Sequence, residues 1–548
     1  MTHRALGLAV GFALLTGCAE PSAPPSTKKQ SDEPRVTVVV PAIARPVEKQ
    51  VATTPPVEKP PATGDSPGTN DAAIKTAPGK NPARADEHLF VDWPAPRAVL
   101  LVTGEQLGYL EPCGCAGLEN QKGGLSRRDT LIKQLRDKGW PVLPVDLGGL
   151  VHRFGQQAEI KFQTAVEALK LMDYAAVGFG PEDLRLPAGV LASSVAATDG
   201  GSSRFVDANV GLFAIDSGLT SRWRVVEAGG KKFGITAVLA DDLQKEVNNT
   251  EVVMTPAEAA LAEVAPKLAD CDVRVLLSYA EPQETLRLAK KFPVFHVVVT
   301  AHGADEPPAE PAKIDGTPGV MVEVGHKGMF AVALGVYDDA DRPLRYQRIP
   351  IDSRFADAAE ILALRRTYQQ QLETLVTSGG WEAVGAKPHL YPGTSGADDP
   401  LGKFAGSKVC GECHTKAYAI WADTSHAHAT ETLVKLDPPR QFDPECVSCH
   451  ATGWNPQEFY PYTGGFVGLE QTPQLAGNGC ENCHGPGAAH AEAEREDLKE
   501  QLDKLRQQMR VTLATAREKT CAACHDLDNS PEFNFTTYWP QVEHRGKD

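Results

Sequence analysis

Cys410-Gly-Glu-Cys413-His414, Cys446-Val-Ser-Cys449-His450, Cys480-Glu-Asn-Cys483-His484 and Cys521-Ala-Ala-Cys524-His525 repeat one pattern four times in the last quarter of a 548-residue chain. C-x-x-C-H is the attachment signature of c-type haem. The spacing has a mechanical reason: two thiols reach the two vinyl groups on one porphyrin edge, and the next residue sets an imidazole nitrogen under the iron. Disulfides and zinc are the competing readings. Zinc takes four Cys or His ligands per site and needs no His after each Cys pair, so four copies favour four covalently bound haem c groups.

The same region holds four histidines outside the motifs, His426, His428, His490 and His544. With His414, His450, His484 and His525 they make eight, the number that bis-histidine ligation of four irons requires. Met509 falls in a helical stripe with Leu498, Leu502, Leu505 and Leu513 and reads as core. A domain of this length has a radius of gyration of about 15 Å. Four macrocycles in that space lie close together and form much of the core, which makes electron relay the default function.

Working outward, Gly406-Ser-Lys-Val-Cys410, Trp421, Ser425-His-Ala-His428, Asp443-Pro-Glu-Cys446, Cys480-Glu-Asn-Cys-His-Gly-Pro-Gly487 and His490 resemble the cytochrome c-554 family of tetrahaem carriers. The resemblance implies a mainly helical fold with stacked haem pairs and distal ligands among His426, His428, His490 and His544. In that family one haem can lack a distal ligand. The charged stretch from Ala488 to Arg517 reads as one long helix with a solvated face.

Upstream, strand-like runs (Ala98–Thr103, Val142–Val145, Ala175–Val177, Val273–Ser278, Phe295–Thr300) alternate with helical ones (Ser126–Lys138, Lys161–Met172, Pro256–Leu268, Pro282–Lys291), the pattern of an α/β layer structure. Val320–Val324, Phe330–Val336 and Leu344–Ile349 read as closing strands, and Asp357–Ser378 as a helix leading out of the domain. The segments Val102-Thr-Gly-Glu105-Gln-Leu107, Gly123-Gly-Leu-Ser-Arg-Arg128, Val145-Asp146-Leu-Gly-Gly149, Gly178-Phe-Gly180-Pro181-Glu182-Asp183, Leu277-Ser-Tyr279 and Ala301-His302-Gly-Ala304 resemble the 5′-nucleotidase branch of the metallophosphatases. That resemblance implies an α/β sandwich with two metals held by Asp, Asn and His. Here the matching positions read Glu105, Leu107, Gly149, Pro181-Glu182, Tyr279 and Ala304. Only Glu105 and His302 keep a ligating group, and even one hydrolytic zinc normally wants three protein ligands. Phosphatase activity is expected to be absent. Cys113 and Cys115 read either as a metal, sulfur or redox pair or as a turn with a structural disulfide, with Cys271 as a candidate partner.

At the N-terminus, His3 and Arg4 precede an apolar run of eleven residues, Ala5 to Leu15, too short to span a bilayer. It ends in Leu15-Thr16-Gly17-Cys18, which resembles a bacterial lipoprotein signal with Cys18 as the lipidated residue; an ordinary secretory signal is the alternative. Ala19 after the cysteine favours the outer membrane over the inner. Fifteen prolines between Ala19 and Pro96 describe a disordered tether. A net charge of -16 argues against nucleic acid as a partner.

The expected layout is therefore multidomain. A signal and lipidation cysteine (1–18) and a tether (19–96) lead into a degenerate 5′-nucleotidase-like α/β domain (97–353). A helix and linker (354–403) then join it to a tetrahaem cytochrome c domain (404–548). The expected function is electron transfer between redox proteins by a periplasm-facing lipoprotein, with no catalytic residue assigned. The alternatives are a multihaem oxidoreductase acting on a small nitrogen or sulfur compound at one open haem, and an active phosphoesterase.

Overall fold

Val, Leu and Ala make up all but the last residue of the run Ala98–Thr103, every residue of which is buried, so it forms a strand covered on both faces (β1). The computed structural model describes residues 89–112, 121–197, 202–526, 529–530 and 532–546. Cys18, the N-terminal signal, nearly all of the Pro-rich tether, and Cys113 and Cys115 lie outside the described residues.

The remaining strands of the α/β region, in chain order, are β2 (Val142–Asp146), β3 (Ala176–Val177), β4 (Val210–Leu212), β5 (Trp223–Ala228), β6 (Lys231–Leu239), β7 (Val252–Met254), β8 (Val273–Tyr279), β9 (Val297–Thr300), β10 (Ala312–Lys313), β11 (Val320–Glu323), β12 (Phe330–Val336) and β13 (Leu344–Pro350). Its helices are α1 (Leu125–Asp137), α2 (Gln156–Leu171), α3 (Ala188–Val195), α4 (Ala257–Val264), α5 (Pro282–Lys291) and α6 (Ala359–Gly379). One sheet has the order β13-β12-β1-β2-β3 and the other β10-β11-β9-β8-β6-β5. β1, β2 and β3 run parallel, as do β6, β8, β9 and β11, so the loops leaving their C-terminal ends gather at one edge of each sheet. Glu105 follows β1, Gly148 and Gly149 follow β2, Tyr279 ends β8 and His302 follows β9, which places the phosphatase-like positions together.

The C-terminal region is mainly helical: α7 (Ser407–Gly411), α8 (Thr415–Ala422), α9 (Ala429–Lys435), α10 (Pro444–His450), α11 (Cys480–His484), α12 (Ala488–Arg495), α13 (Lys499–Gln508), α14 (Leu513–Thr515) and α15 (Phe535–Val542). The single long helix expected over 488–517 is instead broken into α12, α13 and α14. Asp497 stands at φ 51 between the first two, a left-handed conformation that a helix interior does not accept. In the expected stripe Leu502 and Leu505 are buried, whereas Leu498 and Leu513 are exposed.

The stretch expected as helix and linker is packed throughout its first half. α6 buries Ile361, Tyr368, Gln369, Leu372 and Val376. Trp381 then packs edge-on to Trp454 at 4.7 Å between ring centroids and donates its indole N–H to the Val467 carbonyl at 2.9 Å. One apolar cluster runs from β1 through Trp381 and Val384 to Val447, Trp454 and Phe466, so the two regions share a core.

Candidate functional site

The apolar core of the C-terminal region is sparse. Leu433, Val447, Trp454, Phe466 and Leu475 are buried beside the α/β body and Ala493, Leu502 and Leu505 form a small second cluster, but α8 and α15 bury no side chain. Helices without a buried face are not held by apolar packing between side chains. This fits a region organised around large cofactors.

The donor set fits as well. The rings of His414 and His490 lie 6.4 Å apart, those of His426 and His525 6.1 Å, and those of His484 and His544 5.8 Å. Two imidazoles on opposite sides of one metal, each with a bond of about 2 Å, stand with their centroids about 6 Å apart. Each pair joins one motif histidine to one non-motif histidine. His428 behaves differently: its side chain is 63% exposed and sits 3.5 Å from Glu431.

Tautomers agree with ligation. A carbonyl only accepts, so the Nδ1 of His450, 2.7 Å from the Ala429 oxygen, carries the proton, as do those of His484 (2.6 Å from Met509 O) and His544 (2.9 Å from Val542 O). That leaves Nε2 as the lone-pair nitrogen, the arrangement in which a metal-bound imidazole is oriented by its other ring nitrogen. Burial holds His450, His484 and His525 below the usual histidine range and pushes His426 down to about 4, so the neutral, ligating form is favoured. None of the eight motif cysteines is in a disulfide, and no group of three or more His, Cys, Asp or Glu is clustered for a metal ion among the described residues. The residues present fit covalently attached haem.

Two buried carboxylates in this region escaped the sequence reading. Glu481, inside the third motif, accepts from the backbone N–H groups of Ala405 (2.8 Å), Gly406 (2.7 Å) and Gly487 (2.6 Å), and burial raises its pKa. Asp443 caps α10 by accepting from Glu445 N at 3.1 Å, and also accepts from Gln157 Nε2 (2.9 Å), the Tyr368 hydroxyl (3.1 Å) and Gln369 Nε2 (3.0 Å). The C-x-x-C-H pattern gives no hint of either, although an Asp-Pro pair ahead of a helix is a cap signal.

At the edge of the α/β sheets the phosphatase-like positions hold few groups that face outward. Glu105, at φ 47, accepts from the His302 backbone N–H (3.2 and 3.3 Å), and His302 Nε2 lies 3.8 Å from it while Nδ1 lies 3.0 Å from Glu281. Burial raises the pKa of Glu105. Asp183 accepts three backbone N–H groups, from Gly149 (2.9 Å), Gly180 (2.9 Å) and Val151 (3.0 Å), and burial pushes its carboxyl up to about 7. Asp146 is taken up by Thr103 Oγ1 (2.6 Å), Gly148 N (3.0 Å) and the buried Arg128 guanidinium (3.6 Å). The Tyr279 phenol fills the space beside Gly149: a Cβ there would lie 2.7 Å from its hydroxyl. Cys271 is a buried thiol packed against Gly234; its candidate partners Cys113 and Cys115 lie outside the described residues.

Known proteins resemble each of the two regions. The family described as cytochrome c554 and c-prime matches residues 409–485. Cytochrome c-554 of Nitrosomonas europaea is 32% identical over 181 residues, covering 28% of this chain and 73% of that protein. The structure of its reduced state aligns over 26% of this chain and 80% of its own, at 28% identity and a TM-score of 0.17. A 5′-nucleotidase precursor of Thermus thermophilus aligns over 51% of this chain and 59% of its own (20% identity, TM-score 0.43), and the sulfate thiohydrolase SoxB of Thermus thermophilus over 52% and 62% (13% identity, TM-score 0.43). The chain thus spans about three fifths of the length of these two nucleotidase-like structures.

Proposed function

This chain belongs to the cytochrome c-554 family through its C-terminal region, a multihaem c-type cytochrome, and from that premise we propose that it carries four haem c groups and relays electrons between redox proteins. Haem attached at such sites supplies an iron that takes up and gives up single electrons. The cysteine pairs 410/413, 446/449, 480/483 and 521/524 hold the four groups, with His414, His450, His484 and His525 as proximal ligands. His490, His426 and His544 are the distal ligands facing His414, His525 and His484. The three imidazole pairs at about 6 Å carry this reading. His428, exposed and beside Glu431, is left out of the ligand set.

The same chain supplies the rest of the role. A diacylated Cys18 and the Pro-rich tether would hold the folded part at the periplasmic face of a membrane, with the outer membrane favoured. The α/β region acts as a docking body and carries no phosphoester chemistry. What supports this is the commitment of Asp146 and Asp183 to protein donors, the phenol beside Gly149, and the contacts of His302 with Glu105 and Glu281.

The test is ferric-state spectroscopy on the full chain with a pyridine haemochrome count. Four haems and low-spin signals at the paired sites are expected. Fewer than four haems would refute the count. A high-spin iron that binds nitrite or NO and turns it over would move the protein to the oxidoreductase alternative.

A further inference from the structure

α10, the helix that carries the second motif, is tied to the α/β body through Glu445 and its capping residue Asp443. Lys161 of α2 reaches both carboxylate oxygens of Glu445 at 2.6 Å. The Lys161 side chain is 8% exposed and that of Glu445 30%. Lys161 is also wedged against the loop after β1, where a Cβ on Gly108 would lie 3.6 Å from its Nζ. Glu445 immediately precedes Cys446, and the helix ends on His450. Around this pair, Asp443 is bound by Gln157, Tyr368 and Gln369, and the half-buried Glu111 carboxylate is held between Arg365 and Arg440. A lysine that reads as one more charge on a helix face is therefore fixed beside a haem-attachment motif by the fold.

We propose that the α/β body sets the reduction potential of the haem held at Cys446, Cys449 and His450 through the Lys161–Glu445 pair, with Lys161 as the positioning and charge-balancing residue. The inference rests on the reading that haem is attached at this motif. Charges withdrawn from water interact over longer range than exposed ones, because the effective dielectric falls. Reduction adds an electron, so a nearby ammonium favours the reduced state and a nearby carboxylate the oxidised one, and potentials of haem proteins respond to such charge and burial. The intact pair nearly cancels. Remove one member and the other acts alone, one residue from the attachment site.

The two single variants must therefore move the potential in opposite directions. Lys161→Met leaves Glu445 uncompensated and lowers the midpoint of one haem. Glu445→Gln leaves Lys161 uncompensated and raises it. The double variant returns close to wild type, and Lys161→Arg, which keeps the charge, does not move it. The measurement is a spectroelectrochemical titration of the full chain, preceded by mass spectrometry of the peptide containing Cys446 and Cys449. If that peptide carries no haem, the underlying reading fails. If haem is present and both single variants shift the same way, or neither shifts, or all the haems move together, the charge-tuning inference is wrong and the pair serves packing alone. Should Lys161→Met fail to accumulate, Glu445→Gln still has to raise the midpoint of one haem and no other.

Discussion

Replacing Asp443 by Ala is the most direct way to ask whether the two regions are one cooperative body. The carboxylate accepts four hydrogen bonds, one from the first turn of α10 and three from Gln157, Tyr368 and Gln369 of the α/β region. Loss of an N-cap costs about 1 kcal/mol. Each bond to a charged acceptor contributes about 1.5–3 kcal/mol, and donors left buried without an acceptor add a desolvation cost. These terms share one site and are not additive, so the expected loss is roughly 4–6 kcal/mol, at the upper end for a point substitution. Asp443→Asn keeps one acceptor oxygen and should lose about half as much. Urea unfolding followed both by the Soret band and by far-UV circular dichroism reports the haem and α/β regions separately. The expected result is a shift of both transitions to lower urea, with cleavage by trypsin between 354 and 403 appearing before either region is lost. A change below about 1 kcal/mol in Asp443→Ala would show that this carboxylate does not anchor the regions to each other.

Four further outcomes are expected. Purified protein supplied with Mn²⁺ or Zn²⁺ should release no phosphate from nucleotides, and Gly149→Asp should not restore release, because its Cβ meets the Tyr279 hydroxyl and the position has φ 71; metal-dependent turnover abolished by Glu105→Gln would overturn this. Asp207 is held up to about 7 by burial, its Oδ2 having no hydrogen-bond partner, against an unfolded value of about 3.9. A folded pKa above the unfolded one gives stability that is present below about pH 4 and lost as pH rises through 7, so the α/β region should resist urea better at pH 5 than at pH 8, and Asp207→Asn should reduce that difference, leaving the part that Asp183 supplies. In electron paramagnetic resonance, His490→Ala and His426→Ala should each convert one low-spin iron to high-spin, while His428→Ala leaves the spectrum unchanged. Glu481→Ala strands three backbone N–H groups, two of them buried, and should cost about 3 kcal/mol in thermal or denaturant melts, with Glu481→Gln less damaging.

Features dictated by covalent chemistry or by continuous apolar runs were readable from the residues alone. C-x-x-C-H is one, and the strands β1, β2, β8 and β12 are others, because each buries nearly every residue and so appears as a short, mainly apolar run. The β5–β6 hairpin was missed although Gly229-Gly230 marks it: both glycines take positive φ, the conformation of a tight hairpin turn. Its β5 strand alternates exposed and half-buried residues and presents no apolar run. The break at Asp497 was missed for the opposite reason, since helix-forming charges continue through it and only one backbone angle changes.

What sequence reasoning could not reach is the junction, and the reason is physical. Lys161, Asp443, Glu445, Gln157 and Gln369 are residues that are exposed by default. Their placement depends on partners as far as 284 to 286 positions away. Polarity in the Pro- and Gly-rich 379–399 stretch likewise reads as a spacer, yet Trp381 at its start is 3% exposed against Trp454. The junction combines the shared apolar cluster with a set of long-range polar contacts around Asp443 and Glu445, and only the apolar part leaves a run in the sequence. It also fixes α10 by directional hydrogen bonds and one ion pair, so the orientation of the second motif follows the α/β body. On the proposed reading the α/β body acts through where it holds Glu445 and Asp443, and the opposed potential shifts of Lys161→Met and Glu445→Gln measure that directly.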